Sequence, residues 1–519
     1  EEIPSGFIDP ALSQLKEKTG QLLAEQRLDF DDITTMATPR RFVLLIKGLA
    51  LKQKKDTETK WGPPESAAFD GDGKPTKVYK GFQKSQGAKE SQIQLKERED
   101  KKGRYLCFIK KLPAKAAQEV LSRVLPDLIS SIHFAKNMHW DDSFTFARPV
   151  RWLLALYGSK VIKLRLGKLV SSNLTYGHRI ISKGPFKVKD TADYFKVIKK
   201  AGIMLDQDQR KEYIRKKLID RAEKLGALKE FHEDLLTEVN YLSESPIVFC
   251  GSFKDEYLKL PSSVLTTTMG KHQKLFSFSS KKGLLPKFAA VLNGKPKNLA
   301  GVRKNYESVL DAKLKDSRFF YSEDTKTALE QKIESLKKVI FQKELGTVFD
   351  KTQRMVKLAK GLAQQLDLNQ KETETLTRAV LLSKADLVTQ MVIEFPGLQG
   401  VMGREYALIS KEPTDVAQAI GEHYRPCSVA DKLPQTLAGA LVSIVDKIDN
   451  IAACFYLGQE PKGSYDPYAL KRQTTGIIRI IRHKKLSVSL EQLIAAAVQE
   501  CHDYAKIVEH RKGKVIEKG

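Results

Sequence analysis

The residues of this sequence that are best suited to chemistry are cations placed to contact phosphate. Four of them lie in one stretch, at Lys471, Arg472, Arg479 and Arg482. Spacings of seven and three residues put the three arginines on one face of a helix. Such a row can neutralise successive phosphates of a nucleic-acid backbone. The competing interpretation is an ordinary helical hairpin whose arginines lie in solvent, and the pattern leaves both open.

Two further groups of side chains are candidates for the same chemistry: Arg40 with Arg41, and Lys271 with His272 and Lys274. Arginine and lysine hold phosphates, and these side chains can also reach the edges of RNA bases. The alternative is a solvated surface with a hydrogen-bonded histidine. Both groups are therefore candidate RNA contacts.

Motifs for nucleotide or hydrolytic chemistry are absent from the sequence. It contains no GxxxxGK[ST] loop, no GxGxxG after a strand, no HExxH and no GxSxG. We therefore predict no catalytic residue, no bound cofactor and no metal in this chain.

The composition indicates a globular protein with an acidic partner. Lysine and arginine number 89 against 63 aspartates and glutamates, which gives a net charge of +26 and favours nucleic acid as the partner. The five cysteines are widely spaced without a CxxC pair, which indicates a reducing compartment rather than a zinc ribbon. No apolar run approaches a membrane span, and no signal peptide opens the sequence. We expect a cytoplasmic protein without membrane contact.

Residues 437–482 predict two successive helices. A stripe of apolar residues marks the first helix: Leu441, Val445, Ile448, Ala452 and Phe455. Asp446 and Asp449 lie off this stripe. Gly458 can end the helix, and Asp466 followed by Pro467 can begin the next one by capping its free N–H groups.

The same region carries a resemblance to a known family. Residues 444–481 read IVDKIDNIAACFYLGQEPKGSYDPYALKRQTTGIIRII. They resemble the beta subunit of the bacterial two-chain glycyl-tRNA synthetase, in which a DKID-type helix precedes a G-S-x-D-P-[FY]-x-L-[KR]-R segment. Further similar motifs are A-T-P-R-R at 37–41, F-x-R-P-x-R-W at 146–152, T-x-G-H-R at 175–179, M-x-x-H-Q-K-x-F at 269–276 and E-F-x-x-L-Q-G-x-M-G-x-x-Y-A at 394–407. His139 departs from the family pattern, which has arginine there.

The resemblance implies a subunit of glycine–tRNA ligase that holds tRNA(Gly) and is catalytically silent alone. ATP and Mg²⁺ would be used through the separate alpha subunit, in an assembly of two alpha and two beta chains or with a fused alpha region. The family also has a C-terminal anticodon-binding domain. Only 37 residues follow Arg482, too few for a domain that folds alone, so we expect that domain to be missing.

The helical half is also similar to the HD phosphohydrolase superfamily, whose metal site needs histidines and aspartates. The distant aspartate corresponds to Asp446, but Ser383 and Lys384 stand where the His-Asp pair belongs, with Asp386 two residues later. Serine is a poor ligand and an ammonium group competes with a cation, so we expect a degenerate site. An active HD-type phosphohydrolase and a plain RNA-binding scaffold are the alternative functions.

The element pattern predicts an α+β multidomain protein. Residues 1–322 are expected to mix strands and helices, with helical insertions, and this region is a candidate for contacts with tRNA and the alpha chain. Residues 323–457 are expected to form a mainly α-helical, HD-like domain with nearly continuous helix over 325–366. Residues 458–519 are expected to be helical and to lead towards the truncated anticodon-binding domain.

Overall fold

The computed structural model describes residues 1–98, 100–141, 144–428, 431–463 and 465–516. The chain folds into two compact units. The first comprises residues 1–223, 229–249 and 291–299, and the second comprises residues 224–228, 250–290 and 300–519. Among the described residues, no helix combines the length and apolar character that crossing a membrane requires.

Helices predominate towards the C-terminal end of the chain. The α-helices are α1 Ser5–Glu25, α2 Glu65–Ala68, α3 Lys77–Gln86, α4 Ala117–Ser130, α5 Thr191–Lys200, α6 Gln207–Lys224, α7 Glu233–Asn240, α8 Ser262–Thr267, α9 Leu299–Asp324, α10 Val348–Gln365, α11 Gln370–Leu382, α12 Gln390–Glu394, α13 Val401–Ile409, α14 Thr414–Glu422, α15 Leu437–Tyr456, α16 Leu470–Lys484 and α17 Leu490–Ile516.

Strands are concentrated before residue 300. They are β1 Asp32–Thr38, β2 Arg41–Lys47, β3 Asp56–Pro64, β4 Ile93–Arg98, β5 Lys101–Leu112, β6 Met138–Asp141, β7 Phe144–Phe146, β8 Leu156–Tyr157, β9 Lys160–Val161, β10 Arg165–Leu166, β11 Leu169–Val170, β12 Leu174–Thr175, β13 Phe186–Lys187, β14 Pro246–Ser252, β15 Phe276–Ser280, β16 Gly283–Asn293, β17 Ile340–Gln342 and β18 Gly346–Thr347. This distribution confirms the predicted α+β class. The predicted domain boundaries at 322 and 457 stay predictions.

The first unit contains a hairpin backed by two helices. β1 and β2 pair antiparallel without a register shift, from Asp32 opposite Lys47 to Thr38 opposite Arg41. Because side chains alternate between the two faces of a strand, one face of this hairpin is free to pack against α1 and α4. Leu23, Ile33 and Val120 form part of the resulting apolar cluster. A separate antiparallel sheet in this unit has the strand order β3-β5-β4.

The second unit is a helical assembly built around α15. Val442, Ile444 and Val445 on successive sides of α15 are all fully buried, so this helix is surrounded rather than laid against one surface. Its neighbours are α10, α11, α14, α16 and α17. Because α15 is enclosed, the charged residues predicted to lie off its apolar stripe are buried as well. Phe455, which the periodicity places on that stripe, is instead about half exposed.

Two local predictions in the second unit were wrong in detail. The continuous helix predicted over 325–366 is interrupted, because 3₁₀ turns at Leu329–Lys338 and the antiparallel pair β17–β18 precede α10. The second helix of the predicted hairpin begins at Leu470 rather than at Pro467. Asp466 still caps it, since its carboxylate accepts hydrogen bonds from the backbone N–H groups of Leu470 at 2.8 Å and Lys471 at 3.0 Å.

Candidate functional site

A cluster of buried charges lies where α10 and α11 meet α15 in the second unit. Asp446 and Asp449 on α15 are three residues apart, and Lys351 and Arg354 on α10 have the same spacing. Residues three apart on a helix share a face, so the two pairs can meet across the helix contact. All four residues are buried. Buried charges at this density must be paired, because an unpaired one would be strongly destabilising.

Asp449 is neutralised by two cations of α10, Lys351 and Arg354. Arg354 donates from Nε to Oδ1 at 2.8 Å and from Nη2 to Oδ2 at 3.0 Å, and the Nζ atom of Lys351 lies 3.0 Å from Oδ2. Burial by itself would raise the pKa of Asp449, but the two adjacent cations outweigh it and lower that pKa. The carboxylate is therefore ionised and forms a bidentate ion pair with the guanidinium of Arg354.

Asp446 is neutralised by two lysines. The Nζ atom of Lys384 lies 2.9 Å from its Oδ2 atom, and the Nζ atom of Lys351 lies 3.0 Å from its Oδ1 atom. Burial opposes ionisation of Asp446, yet Lys351 and Lys384 hold its pKa well below the ordinary value. Burial lowers the pKa of Lys384, and the charge of Asp446 counters this effect only in part.

A buried histidine completes the surroundings of Lys384. Burial, with the charge of Lys384 added, holds the pKa of His423 well below its usual range, so the ring is neutral. Its Nδ1–H donates to the carbonyl oxygen of Ile420 at 2.6 Å, which leaves Nε2 to accept from Lys384 Nζ at 2.9 Å. The ammonium also lies 4.0 Å from the centre of the Tyr424 ring.

This arrangement places an ammonium group among the imidazole and carboxylate that would otherwise suit a metal ion. Ser383 turns away, donating from Oγ to the carbonyl oxygen of Val380 at 2.8 Å. Asp386 also points elsewhere, and its Oδ2 atom accepts from the N–H groups of Gly400 and Gly403 at 2.6 and 2.9 Å. Burial raises the pKa of Asp386 to about 6. These donors do not fit a metal.

Metal-ligating side chains are not grouped elsewhere in the described residues either. Across residues 1–98, 100–141, 144–428, 431–463 and 465–516, no group of three or more histidines, cysteines, aspartates or glutamates could hold a metal ion. The predicted absence of a bound metal stays a prediction for solution measurements.

The predicted cationic face of α16 divides into different environments. Arg479 donates to the backbone carbonyls of Ser428 and Asp431, both at 3.2 Å, and so ties a loop to the helix. Lys471 contacts the carbonyl of Gly463. Arg472 and Arg482 are exposed and form no ion pair within the described part of the chain. These two arginines are the residues of α16 best placed to contact phosphate.

The candidate group of Lys271, His272 and Lys274 lies around a π-helical turn at Thr268–His272. His272 stacks edge-on against Phe395, with ring centres 4.9 Å apart. Lys271 is exposed beside Gly397, and Lys274 has a positive φ of 55°. A role in RNA binding for Lys271, His272 and Lys274 stays a prediction.

The candidate pair Arg40 and Arg41 lies in the first unit and contacts a buried glutamate, Glu244. The Nε atom of Arg41 donates to Glu244 at 3.1 Å, and its Nη1 atom donates to the carbonyl of Tyr176 at 3.0 Å. Both Arg40 and Arg41 also lie over the Trp152 ring, 5.9 and 5.5 Å from its centre. Because Arg41 is buried, it does not belong to the RNA surface that we propose. The RNA contact of Arg40 stays a prediction.

Sequence reasoning missed most of the buried cluster. It named Asp446 and Lys384 but not Lys351, Arg354 or His423. A signal was present: Lys351 and Arg354 on α10 repeat the three-residue spacing of Asp446 and Asp449 on α15, and each pair lies among apolar residues of its helix. Charged residues on an apolar face are rarely buried unless they are paired.

Comparison with known proteins gives one consistent result. Residues 1–517 match a family model described as glycyl-tRNA synthetase beta subunit. The chain is 44% identical over 505 residues to the glycine–tRNA ligase beta subunit of Desulforamulus reducens, covering 97% of this chain and 72% of that protein. For the protein of the same name from Clostridioides difficile the identity is 45% over 499 residues, with 96% and 72% covered. For that from Aquifex aeolicus it is 40% over 518 residues, with 99% and 76% covered.

Proposed function

The chain belongs to the glycyl-tRNA synthetase beta subunit family, and we propose that it works as the beta subunit of a glycine–tRNA ligase. The observation that carries this proposal is the family match, which extends over residues 1–517. The chain is thus part of an aminoacyl-tRNA synthetase that attaches glycine to tRNA in protein biosynthesis. Its partners in the proposal are an alpha subunit and tRNA(Gly).

The division of labour that we propose is the one that the family resemblance implies. ATP and Mg²⁺ are used through the alpha subunit, and this chain contributes tRNA binding and docking. The lack of a nucleotide-binding loop in the sequence is consistent with this division. The proposed assembly contains two alpha and two beta chains, or one polypeptide with a fused alpha region. It works in the cytoplasm.

For tRNA binding we propose the exposed cations of α16, Arg472 and Arg482. Their guanidinium groups can bind two phosphate oxygens at once. Phosphate contacts of this kind position an RNA without reading its sequence. The net charge of +26 supports such a role because it draws a polyanion to the protein.

The phosphohydrolase alternative is disfavoured by the buried cluster. Lys384 and Lys351 contact the two oxygens of Asp446, so a divalent cation at this carboxylate would face two ammonium groups. A plain RNA-binding scaffold would have no synthetase partner, so co-purification with an alpha-like chain distinguishes it from the proposed function.

The test of the proposed function is reconstitution with an alpha-like chain. We expect this chain alone to be inactive in ATP–pyrophosphate exchange and in glycylation of tRNA(Gly), and the co-purified complex to be active in glycylation. A tRNA for another amino acid is the control substrate. Strong ATP–pyrophosphate exchange by this chain alone, or failure to co-purify with any alpha-like chain, would overturn the proposal.

A further inference from the structure

A cavity of about 350 Å³ lies in the second unit, over the buried charge cluster and beside the start of α16. Its wall includes Lys384, Asp446, Lys447, Tyr468 and Arg472. A volume of this size lies within the range of about 300–1,000 Å³ typical of small-molecule sites. The proposed ligase function does not require a ligand here.

The charges around this cavity do not cancel. Four cations line it, namely Lys351, Lys384, Lys447 and Arg472, whereas Asp446 is the carboxylate among the lining residues. Asp449, behind the wall, is matched by Arg354. Burial, with a smaller effect from Lys384, lowers the pKa of Lys447 to about 8, which still leaves it mostly protonated at neutral pH. An anion in the cavity would offset this excess of positive charge.

The cations that line this cavity differ in how far their hydrogen-bond donors are already used. Lys447 already donates to Ser443 Oγ at 2.7 Å and to the Arg425 carbonyl at 3.1 Å. The Nζ atom of Lys351 likewise already donates hydrogen bonds to Asp449 Oδ2 at 3.0 Å and to Asn450 Oδ1 at 2.9 Å. Arg472, in contrast, is exposed and pairs with no carboxylate of the described residues. Its guanidinium can therefore bind the anion directly, while the positive charges of the buried lysines attract the anion electrostatically.

The wall of the same cavity also contains an aromatic side chain. Tyr468 also lines the cavity, and 45% of its surface is exposed. An exposed tyrosine ring beside a cationic pocket suits a planar base with a phosphate attached, because bases stack on aromatic faces without sequence preference. A bare inorganic anion would leave the ring unused.

We propose that this cavity binds a free mononucleotide, with its phosphate on the guanidinium of Arg472 and its base against the ring of Tyr468. Arg472 is the anchor and Tyr468 the stacking surface. The bound phosphate faces Lys351, Lys384 and Lys447 through the opening.

The test is equilibrium binding to the full chain, by calorimetry at low salt, of AMP, adenosine and inorganic phosphate. We expect saturable binding of one AMP per chain, weaker binding of phosphate and adenosine, and affinity that falls as salt rises. Arg472→Ala should weaken AMP binding by about tenfold or more, since it removes a charge-assisted contact. Tyr468→Ala should weaken AMP more than phosphate.

The control variant is Arg404→Ala, which removes an exposed arginine of the same unit outside the cavity and should leave AMP affinity unchanged. Thermal unfolding of each variant establishes that it is folded. Absence of AMP binding at millimolar concentration, or equal affinity in folded Arg472→Ala, would overturn the proposal. So would binding of a short single-stranded RNA that depends on Arg472 while AMP fails to bind, because the site would then serve RNA.

Discussion

Lys384 and Asp446 form a buried ion pair in which Nζ and Oδ2 lie 2.9 Å apart, although the residues are 62 positions apart in the sequence. Lys384 follows the end of α11 and Asp446 lies in the middle of α15. The pair joins the two helices at the position that we predicted to be a degenerate metal site. The ammonium group of Lys384 neutralises the carboxylate of Asp446 there.

Replacing Lys384 by methionine should loosen this contact. The substitution keeps a long apolar stem but leaves Asp446 with Lys351 as its remaining cation, and breaking a buried pair costs about 3 kcal/mol. We expect the free energy of opening α15, measured by native-state hydrogen exchange, to fall by about that amount. Lys360→Ala, at an exposed position of α10, should change it by less than about 0.5 kcal/mol. Equal protection in the two variants would contradict a stabilising role for the pair.

The stability of the second unit should depend on pH through Asp386. Its folded-state pKa is raised to about 6 from 3.8, so its contribution to stability is fully present below pH 3.8 and is lost as pH rises through about 6. Asp386→Asn keeps an oxygen that can accept from Gly400 and Gly403 and cannot ionise. We expect the wild type to lose about 2 kcal/mol relative to this variant between pH 4 and pH 7, since one pKa unit is about 1.4 kcal/mol and part of the loss has already occurred at pH 4.

Melting temperatures across that pH range measure this difference. Asp415→Asn, which changes an exposed carboxylate on α14, is the matched control and should follow the wild type. Parallel wild-type and Asp386→Asn curves would show that Asp386 has an ordinary acidity in the folded protein.

The purified chain should contain no stoichiometric divalent metal. The physical reason is the repulsion between a metal ion and the ammonium groups of Lys384 and Lys351 at Asp446. Elemental analysis after dialysis against manganese or zinc measures the content, with a metal-free buffer blank as control. One manganese or zinc ion per chain, together with a phosphatase activity that disappears in Asp446→Ala, would contradict the prediction.

The exposed arginines of α16 should contribute to tRNA affinity. Changing Arg472 and Arg482 together to alanine should weaken binding and reduce the slope of log affinity against log salt by at most about two units, about one per lost phosphate contact. Affinity for different tRNAs should fall similarly, because phosphate contacts carry no sequence information.

Filter binding across a salt series decides this point, with Arg404→Ala as the matched control. Adding Arg479→Ala should have little further effect on the slope if that arginine only holds the loop at Ser428. Superimposable curves for wild type and a folded double variant would place the RNA elsewhere. The candidates would then be Lys271, His272 and Lys274.

The sequence by itself determined the class of fold and the family. A continuous apolar run with β-branched and aromatic residues, such as that at 42–46 within β2, favours a strand. The family could be identified from the sequence because long segments, such as residues 444–481, match the family's motifs in residue type and spacing. The lack of nucleotide-binding motifs is likewise a property of the sequence alone.

Only the tertiary structure decided which charges are free and which are buried. Periodicity placed Asp446 and Asp449 off the apolar stripe of α15, yet both are buried because helices pack on several sides of that helix. Arg354 meets Asp449 across 95 residues of sequence, and Arg479 is taken up by a loop, whereas Arg472 remains exposed at a cavity. A periodic pattern describes one helix, but the surroundings of a charge depend on the other helices packed against it, which lie far away in the sequence.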